Sequence, residues 1–269
     1  MAIDADALWI LLNAVRERQP LVHNITNFVV MNTTANALLA LGASPAMVHA
    51  LDEVEDFVAI SQALVVNIGT LYSEQIAACK LAARRAGAGG VPWILDPVGA
   101  GATPYRRAAA SALMRLRPNV IRGNGSEILT LAQQARVGQG RGVDSLHDSE
   151  AAVEAARTLA AETGAVVAVT GAVDYVTDGA KMVEIYNGHP LMARVTGLGC
   201  SATAIIGAFL AVERDPLMAT VAGLAVFGVA GEMAAEWAAG PGSLQVALLD
   251  ALYALTQSDL AQRLKLDKE

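Results

Sequence analysis

A chain of 269 residues, 54% of them hydrophobic and only 17% charged, is long enough to bury one large core. A net charge of −7 with no basic run argues against a nucleic-acid-binding surface. The two cysteines, Cys79 and Cys200, show no CxxC or Cys/His metal spacing, which argues against a disulfide scaffold and fits a reducing cytoplasm, and Asp4 and Asp6 stand where a secretory signal would carry basic residues.

Leu8, Leu11, Leu12 and Val15 share one face and predict a helix over 8–15. Pro20 closes the connection, and Leu21, Val22 and His23 form a short strand. Asn24 to Asn27 is a polar turn, in which Thr26 or Asn27 is placed to cap the next helix. That helix carries Phe28, Met31, Ala35, Leu38 and Leu39 on one stripe and stops at Gly42. Residues 45–47 are extended, and 52–60 read as a helix with an acidic start. The apolar run 63–68 is a buried strand, after which Ser73 is placed to cap a helix to Arg85. Residues 87–92 are a turn; 93–95 are a strand ending in Asp96-Pro97; Pro104 opens a helix to Leu116. A strand at 119–121 leads through 122–126 into a helical stretch at 127–132. The loop GQGRG, 138–142, precedes a cap and helix over 147–162. Residues 165–169 form a strand ending at Thr170-Gly171. Residues 173–177 and 182–186 alternate around Asp178-Gly179 as a hairpin. Three helices close the chain, over 200–212, 216–237 and 243–258.

Strands alternating with helices predict an α/β fold with a mostly parallel sheet and helices on both faces. No repeat, low-complexity segment or linker divides the chain, so residues 1–269 read as a single domain. The apolar runs 198–212 and 217–231 are shorter than the ~20 residues of a spanning helix. Their many Ala and Gly residues suit close packing in a core, so no membrane association is expected.

Polar groups stand at four strand ends: Asn67-Ile68-Gly69, Asp96-Pro97, Arg122-Gly123-Asn124 and Thr170-Gly171. Ligands of such sheets bind beyond the carboxyl ends of the strands. Asp96 and Glu127 offer carboxylates for Mg²⁺, directly or through waters. Arg122 is suited to a nucleotide phosphate, and Thr170 to a phosphate oxygen. The segment VTGLGCSATA, 195–204, adds a glycine turn at Gly197 and Gly199 ahead of an apolar helix. Such a turn brings backbone N–H groups and a helix N-terminus to an anion. Taken alone it reads rather as a turn before a buried helix, with Cys200 as a small core residue. Taken with the strand ends, it describes phosphoryl transfer by positioning and electrostatics. The helix-start field is expected to lower the Cys200 thiol, helix-terminal cysteines spanning roughly 3.5–7.5. There is no GxxxxGK[ST] phosphate loop.

These residues carry a resemblance. The segment 20–57, PLVHNITNFVVMNTTANALLALGASPAMVHALDEVEDF, resembles the N-terminal signature of the hydroxyethylthiazole kinase family. DPVGAGAT (96–103), RGN (122–124) with Glu127, GVDS (142–145), VTG (169–171) and VTGLGC (195–200) follow in that family's order. The resemblance covers nearly the whole chain. It implies a ribokinase-like fold without a lid domain, and a cytoplasmic homotrimer with active sites between subunits. It implies transfer of phosphate from Mg-ATP to the alcohol of 4-methyl-5-(2-hydroxyethyl)thiazole, in thiamine biosynthesis or salvage. By motif match, Met47, Gly197 and Asn27 would contact the thiazole, Arg122 and Thr170 would bind ATP, and Asp96 and Glu127 would serve Mg²⁺. Cys200 occupies the position where ribokinase-like enzymes carry an aspartate base, which makes it the candidate catalytic residue. His23 reads as a satisfied strand-end polar group and His49 as helix-adjacent surface. The competing readings are a hydroxymethylpyrimidine kinase, which would carry aspartate at position 200, a nucleotide-dependent hydrate dehydratase, and a regulatory protein that binds ATP without turnover.

Overall fold

The structure is a computed structural model and describes residues 3–136 and 148–268. All nine strands among the described residues join one sheet, in the order 44–46, 21–25, 63–67, 93–96, 120–124, 166–170, 174–177, 182–185 and 266–268. Strands β1 (Leu21–Ile25), β2 (Ser44–Ala46), β3 (Ala63–Asn67), β4 (Trp93–Asp96), β5 (Val120–Asn124) and β6 (Val166–Thr170) run parallel. Strands β7 (Asp174–Thr177), β8 (Met182–Ile185) and β9 (Leu266–Lys268) add an antiparallel edge.

The central strands read as unbroken apolar runs because both of their faces are covered. Side chains alternate, so Val65 and Ile94 pack on one face while Leu64, Val66 and Leu95 pack on the other. The first face is covered by α1 (Ala5–Arg18), α2 (Met31–Leu41), α8 (Leu198–Leu210), α9 (Pro216–Trp237) and α10 (Pro241–Ala254). The second is covered by α3 (Val54–Ile60), α4 (Ser73–Gly89), α5 (Pro104–Met114), α6 (Gly125–Arg136) and α7 (Asp148–Thr163). Helix α9 is long and apolar enough to cross a membrane, but its most apolar window is 89% buried inside the fold. It packs against α8, α10 and strands β6 to β8, which explains why it is apolar all round.

Several local expectations need correction. Neither Thr26 nor Asn27 caps α2, which starts later, at Met31, with no side-chain cap. The buried stripe of α2 is Thr34, Ala37, Leu38 and Leu41, whereas Phe28 and Leu39 are 60% and 59% exposed. Ser73 is the first residue of α4 rather than its cap, and that helix runs on through Gly89. The third C-terminal segment is two helices, α10 and α11 (Gln257–Arg263), because the chain turns extended at Leu255 and Thr256 recaps it. Strand β9 and a 3-10 turn over Pro190–Arg194 carry too little periodicity to be read from sequence. GQGRG and GVDS lie outside the described residues.

Candidate active site

The strand order reverses between β1 and β3, and crevices at such points collect ligands. The loop after β1 carries Asn27, and β3 and β4 end in Asn67 and Asp96, which are register partners. Strands β5 and β6 end in a second pair, Asn124 and Thr170. Pairing thus sets the four polar strand ends in two adjacent rows.

Asp96 is fully buried. Its Oδ2 accepts hydrogen bonds from Asn67 Nδ2 at 2.7 Å and Thr203 Oγ1 at 2.9 Å. Its Oδ1 is buried without a hydrogen-bond partner among the described residues. Burial raises its pKa to about 6, against the nearby Arg122 charge; Glu127 adds to the rise, and the bonds from Thr203 and Asn67 oppose it. Asn67 Oδ1 accepts from Asn27 Nδ2 at 2.9 Å and from the Gly69 amide at 2.9 Å. Asn27 Nδ2 also reaches Cys200 Sγ at 3.5 Å. One network therefore links the loop after β1, the ends of β3 and β4, and the first turn of α8.

Helix α8 packs beside α2 on the same face of the sheet. Its N-cap, Gly197, has φ 83°, and a Cβ there would stand 2.7 Å from Val30 Cγ1, so both backbone and space call for glycine. The helix starts at Leu198, two residues before the expected start, which puts Cys200 third in its first turn. At Gly199 a Cβ would come 2.9 Å from Arg122 Nη1, so the guanidinium lies against this helix start. Free N–H groups of the first turn and a cation thus converge on one spot, as a transferring phosphoryl group requires.

The Cys200 thiol departs from expectation. Its pKa is pushed up to about 11, first by burial and then by the Asp96 charge; Asn67, Arg122 and Asn27 pull the other way. The helix-start field acts on an exposed thiol, but here desolvation outweighs it.

Glu127 is buried near the start of α6. Its Oε1 accepts from the Gly99 amide and its Oε2 from the Asn124 amide, both at 2.8 Å. Beyond Arg122 and Thr170 a cavity of about 510 Å³ extends between the β6–β7 turn, residues 187–193 and the helices α8 and α9. Its size suits a small-molecule ligand. Asp174 lines it, bonded to the Gly171 amide at 2.9 Å, with its pKa raised to about 6 by burial against the pull of that bond and Arg122. Thr170 Oγ1 bonds Gly123 O at 3.4 Å. Met47 is half-buried just after β2. Sequence reasoning missed Thr203, Asp174, Asn187 and His189; only Thr203, a lone hydroxyl on an apolar helix face, left a signal. His49 is not free surface, since its Nε2 lies 3.1 Å from both Thr26 N and Thr26 O.

A model of the hydroxyethylthiazole kinase family matches residues 12–258. The chain belongs to this family. It is 59% identical to the hydroxyethylthiazole kinase of Granulibacter bethesdensis over 93% of this chain and 90% of that one. It is 52% identical to that of Syntrophus aciditrophicus over 99% and 98%. The solved hydroxyethylthiazole kinase of Pyrococcus horikoshii superposes with a TM-score of 0.91 at 45% identity, covering 98% of this chain and 99% of that one. Bacillus subtilis pyridoxal kinase, solved with ADP, shares the fold at a TM-score of 0.59 and 18% identity, over 79% and 91%. The fold is thus ribokinase-like, and the chain is a family kinase.

Proposed function

We propose that the site transfers the γ-phosphoryl group of ATP to the hydroxyl of 4-methyl-5-(2-hydroxyethyl)thiazole. Family membership supports the reaction. The observation that carries its placement is the meeting of a buried carboxylate, Asp96, with the glycine-started helix α8 and the Arg122 guanidinium. The cavity beyond Thr170 takes the nucleotide, with Arg122 and Thr170 on its phosphates. The thiazole lies among Met47, Asn27 and Gly197, where a neutral ring finds an apolar, polarisable contact. Cys200 borders the reacting hydroxyl as a neutral thiol.

The donors present fit Mg²⁺. Asp96 Oδ1 is an unpartnered buried carboxylate oxygen, and Glu127 keeps lone pairs beyond its two amide bonds. Mg²⁺ typically takes one or two carboxylates plus substrate phosphates, and Asp96 and Glu127 are two carboxylates. When bound, Mg²⁺ supplies charge neutralisation to the phosphate oxygens. The chain's own residues align the two substrates and offer fixed donors to the transferring group. A loose transition state asks little of a base, consistent with a thiol held at about 11.

The sites lie between subunits of a homotrimer. Phe28 and Val29, next to Asn27, are 60% and 62% exposed, and Phe28 stacks on Tyr72 with centroids 5.9 Å apart. An apolar patch beside the site is what a neighbouring subunit would cover.

ADP release with Mg-ATP and the thiazole alcohol, with mass detection of the product, tests the reaction. A phosphorylated thiazole is expected. ATP binding without product would overturn the substrate assignment.

A further inference from the structure

Arg106 has no part in the roles above. It is the third residue of α5, and its amide donates to the cap Thr103 Oγ1 at 3.2 Å. Its side chain crosses two loops. Nη1 donates to Ile68 O at 2.8 Å and to Val98 O at 2.9 Å, and Nη2 donates to Gly69 O at 2.7 Å. All three acceptors are main-chain carbonyls. Carbonyls offer less to a cation than a carboxylate does, so this arrangement serves geometry more than charge pairing.

Both bridged loops end on the site. Gly69, whose carbonyl Arg106 holds, donates its amide to Asn67 Oδ1, and Asn67 Nδ2 donates to Asp96. Val98, held in the same way, precedes Gly99, whose amide donates to Glu127 Oε1. The guanidinium thus holds the carbonyl of the 98–99 peptide, whose N–H supports Glu127, and the carbonyl of the 68–69 peptide, whose N–H supports Asn67 and through it Asp96. A planar fork spans both loops at once, whereas an ammonium is a single point on a flexible stem.

We propose that Arg106 is a positioning residue for phosphoryl transfer: it pins the loops after β3 and β4 together and so sets the spacing of Asp96 and Glu127. The inference rests on the reading that these carboxylates serve the Mg-nucleotide. Supports behind metal ligands change metal affinity or activity by about 10–100-fold when removed.

The test uses the full-length protein with Arg106→Met and Arg106→Lys, and Arg115→Met as a surface control. Turnover, the KM for each substrate and the half-saturating Mg²⁺ concentration are measured. Mn²⁺ binding in the presence of ADP is followed by electron paramagnetic resonance, scaled to folded protein by circular dichroism. In Arg106→Met, we expect kcat to fall and half-saturating Mg²⁺ to rise by about 10–100-fold, with the thiazole KM within about twofold and Mn²⁺–ADP binding weakened in proportion. Arg106→Lys, which keeps the charge, recovers only part of both. Unchanged Mn²⁺–ADP binding and Mg²⁺ dependence per folded molecule in both variants overturns the proposal, even if the melting point falls. If Arg106→Met does not fold, Arg106→Lys decides by the same two readouts. If the wild type transfers no phosphate to the thiazole, the functional reading has failed, and the Mn²⁺–ADP titration alone decides the role of Arg106.

Discussion

At Cys200 two effects oppose each other. The first turn of α8 favours a thiolate, while burial and the Asp96 charge disfavour it, and the latter win by raising the pKa to about 11. At pH 7 the thiolate fraction is then only about 10⁻⁴, one pKa unit being a factor of ten. Cys200→Ser should therefore keep kcat within about tenfold of wild type, short of the 10²–10⁴ that a general base supplies. Its kcat–pH profile should match wild type between pH 6 and 9. A loss beyond a hundredfold with unchanged thiazole KM would restore the base assignment. His23 shows the same physics with the opposite sign. It is fully buried, bonded to Val48 O at 2.8 Å, with its pKa lowered to about 4, chiefly by burial. The unfolded chain takes up this proton first, at about 6.5. The stability tied to neutral His23 is complete above pH 6.5 and is lost as pH falls toward 4, by up to about 3 kcal/mol. Chemical denaturation across that range should show a shallower acid loss in His23→Gln, whose amide can still donate to Val48 O. The raised pKa values of Asp96 and Asp174 act in the opposite direction in both proteins, so the contrast between variant and wild type isolates His23. Equal acid slopes would refute the assignment.

Among the elements, α9 couples core packing to the site. A Cβ at Gly228 would lie 2.8 Å from both Cβ and O of Asn187. Asn187 cannot yield easily, because it donates to Glu232 at 3.1 Å and Arg263 O at 2.7 Å and accepts from the Lys265 amide at 2.9 Å. It also lines the cavity assigned to the nucleotide. Gly228→Ala should cost about 1–3 kcal/mol by overpacking and raise the KM for ATP severalfold, with little change for the thiazole. Thermal melts and steady-state kinetics check both; a lower melting point with an unmoved ATP KM would mean that the strain relaxes away from the cavity. Helix α2 carries the converse lesson. A local stripe placed Phe28 and Leu39 in the core, yet both are exposed, because the helix begins only at Met31 and turns Ala37, Leu38 and Leu41 inward.

For the whole molecule, the parallel strands gather the site at their carboxyl ends, and the exposed Phe28 and Val29 lie beside it. Sedimentation equilibrium should give three protomers for the wild type. Val29→Lys places a charge on that patch and should dissociate the trimer with loss of turnover. A fully active monomer would show that each site is complete within one chain.

The strand order was not legible in the sequence, but the class of fold was. Buried runs such as 63–68 and 93–95 declare two-sided burial because side-chain alternation is local to the strand. Asn67, Asp96 and Thr170 were legible as strand ends, since a polar residue closing an apolar run marks where the core stops, whereas β5 runs past the expected end at 121 to Asn124. Their pairing into rows, the meeting of Asp96 with Thr203 from more than a hundred residues away, and the grip of Arg106 on two loops required the tertiary structure. So did the charge state of Cys200. Sequence alone supplied the helix start and its field, but desolvation depends on every element packed around the sulfur, and those elements come from distant parts of the chain.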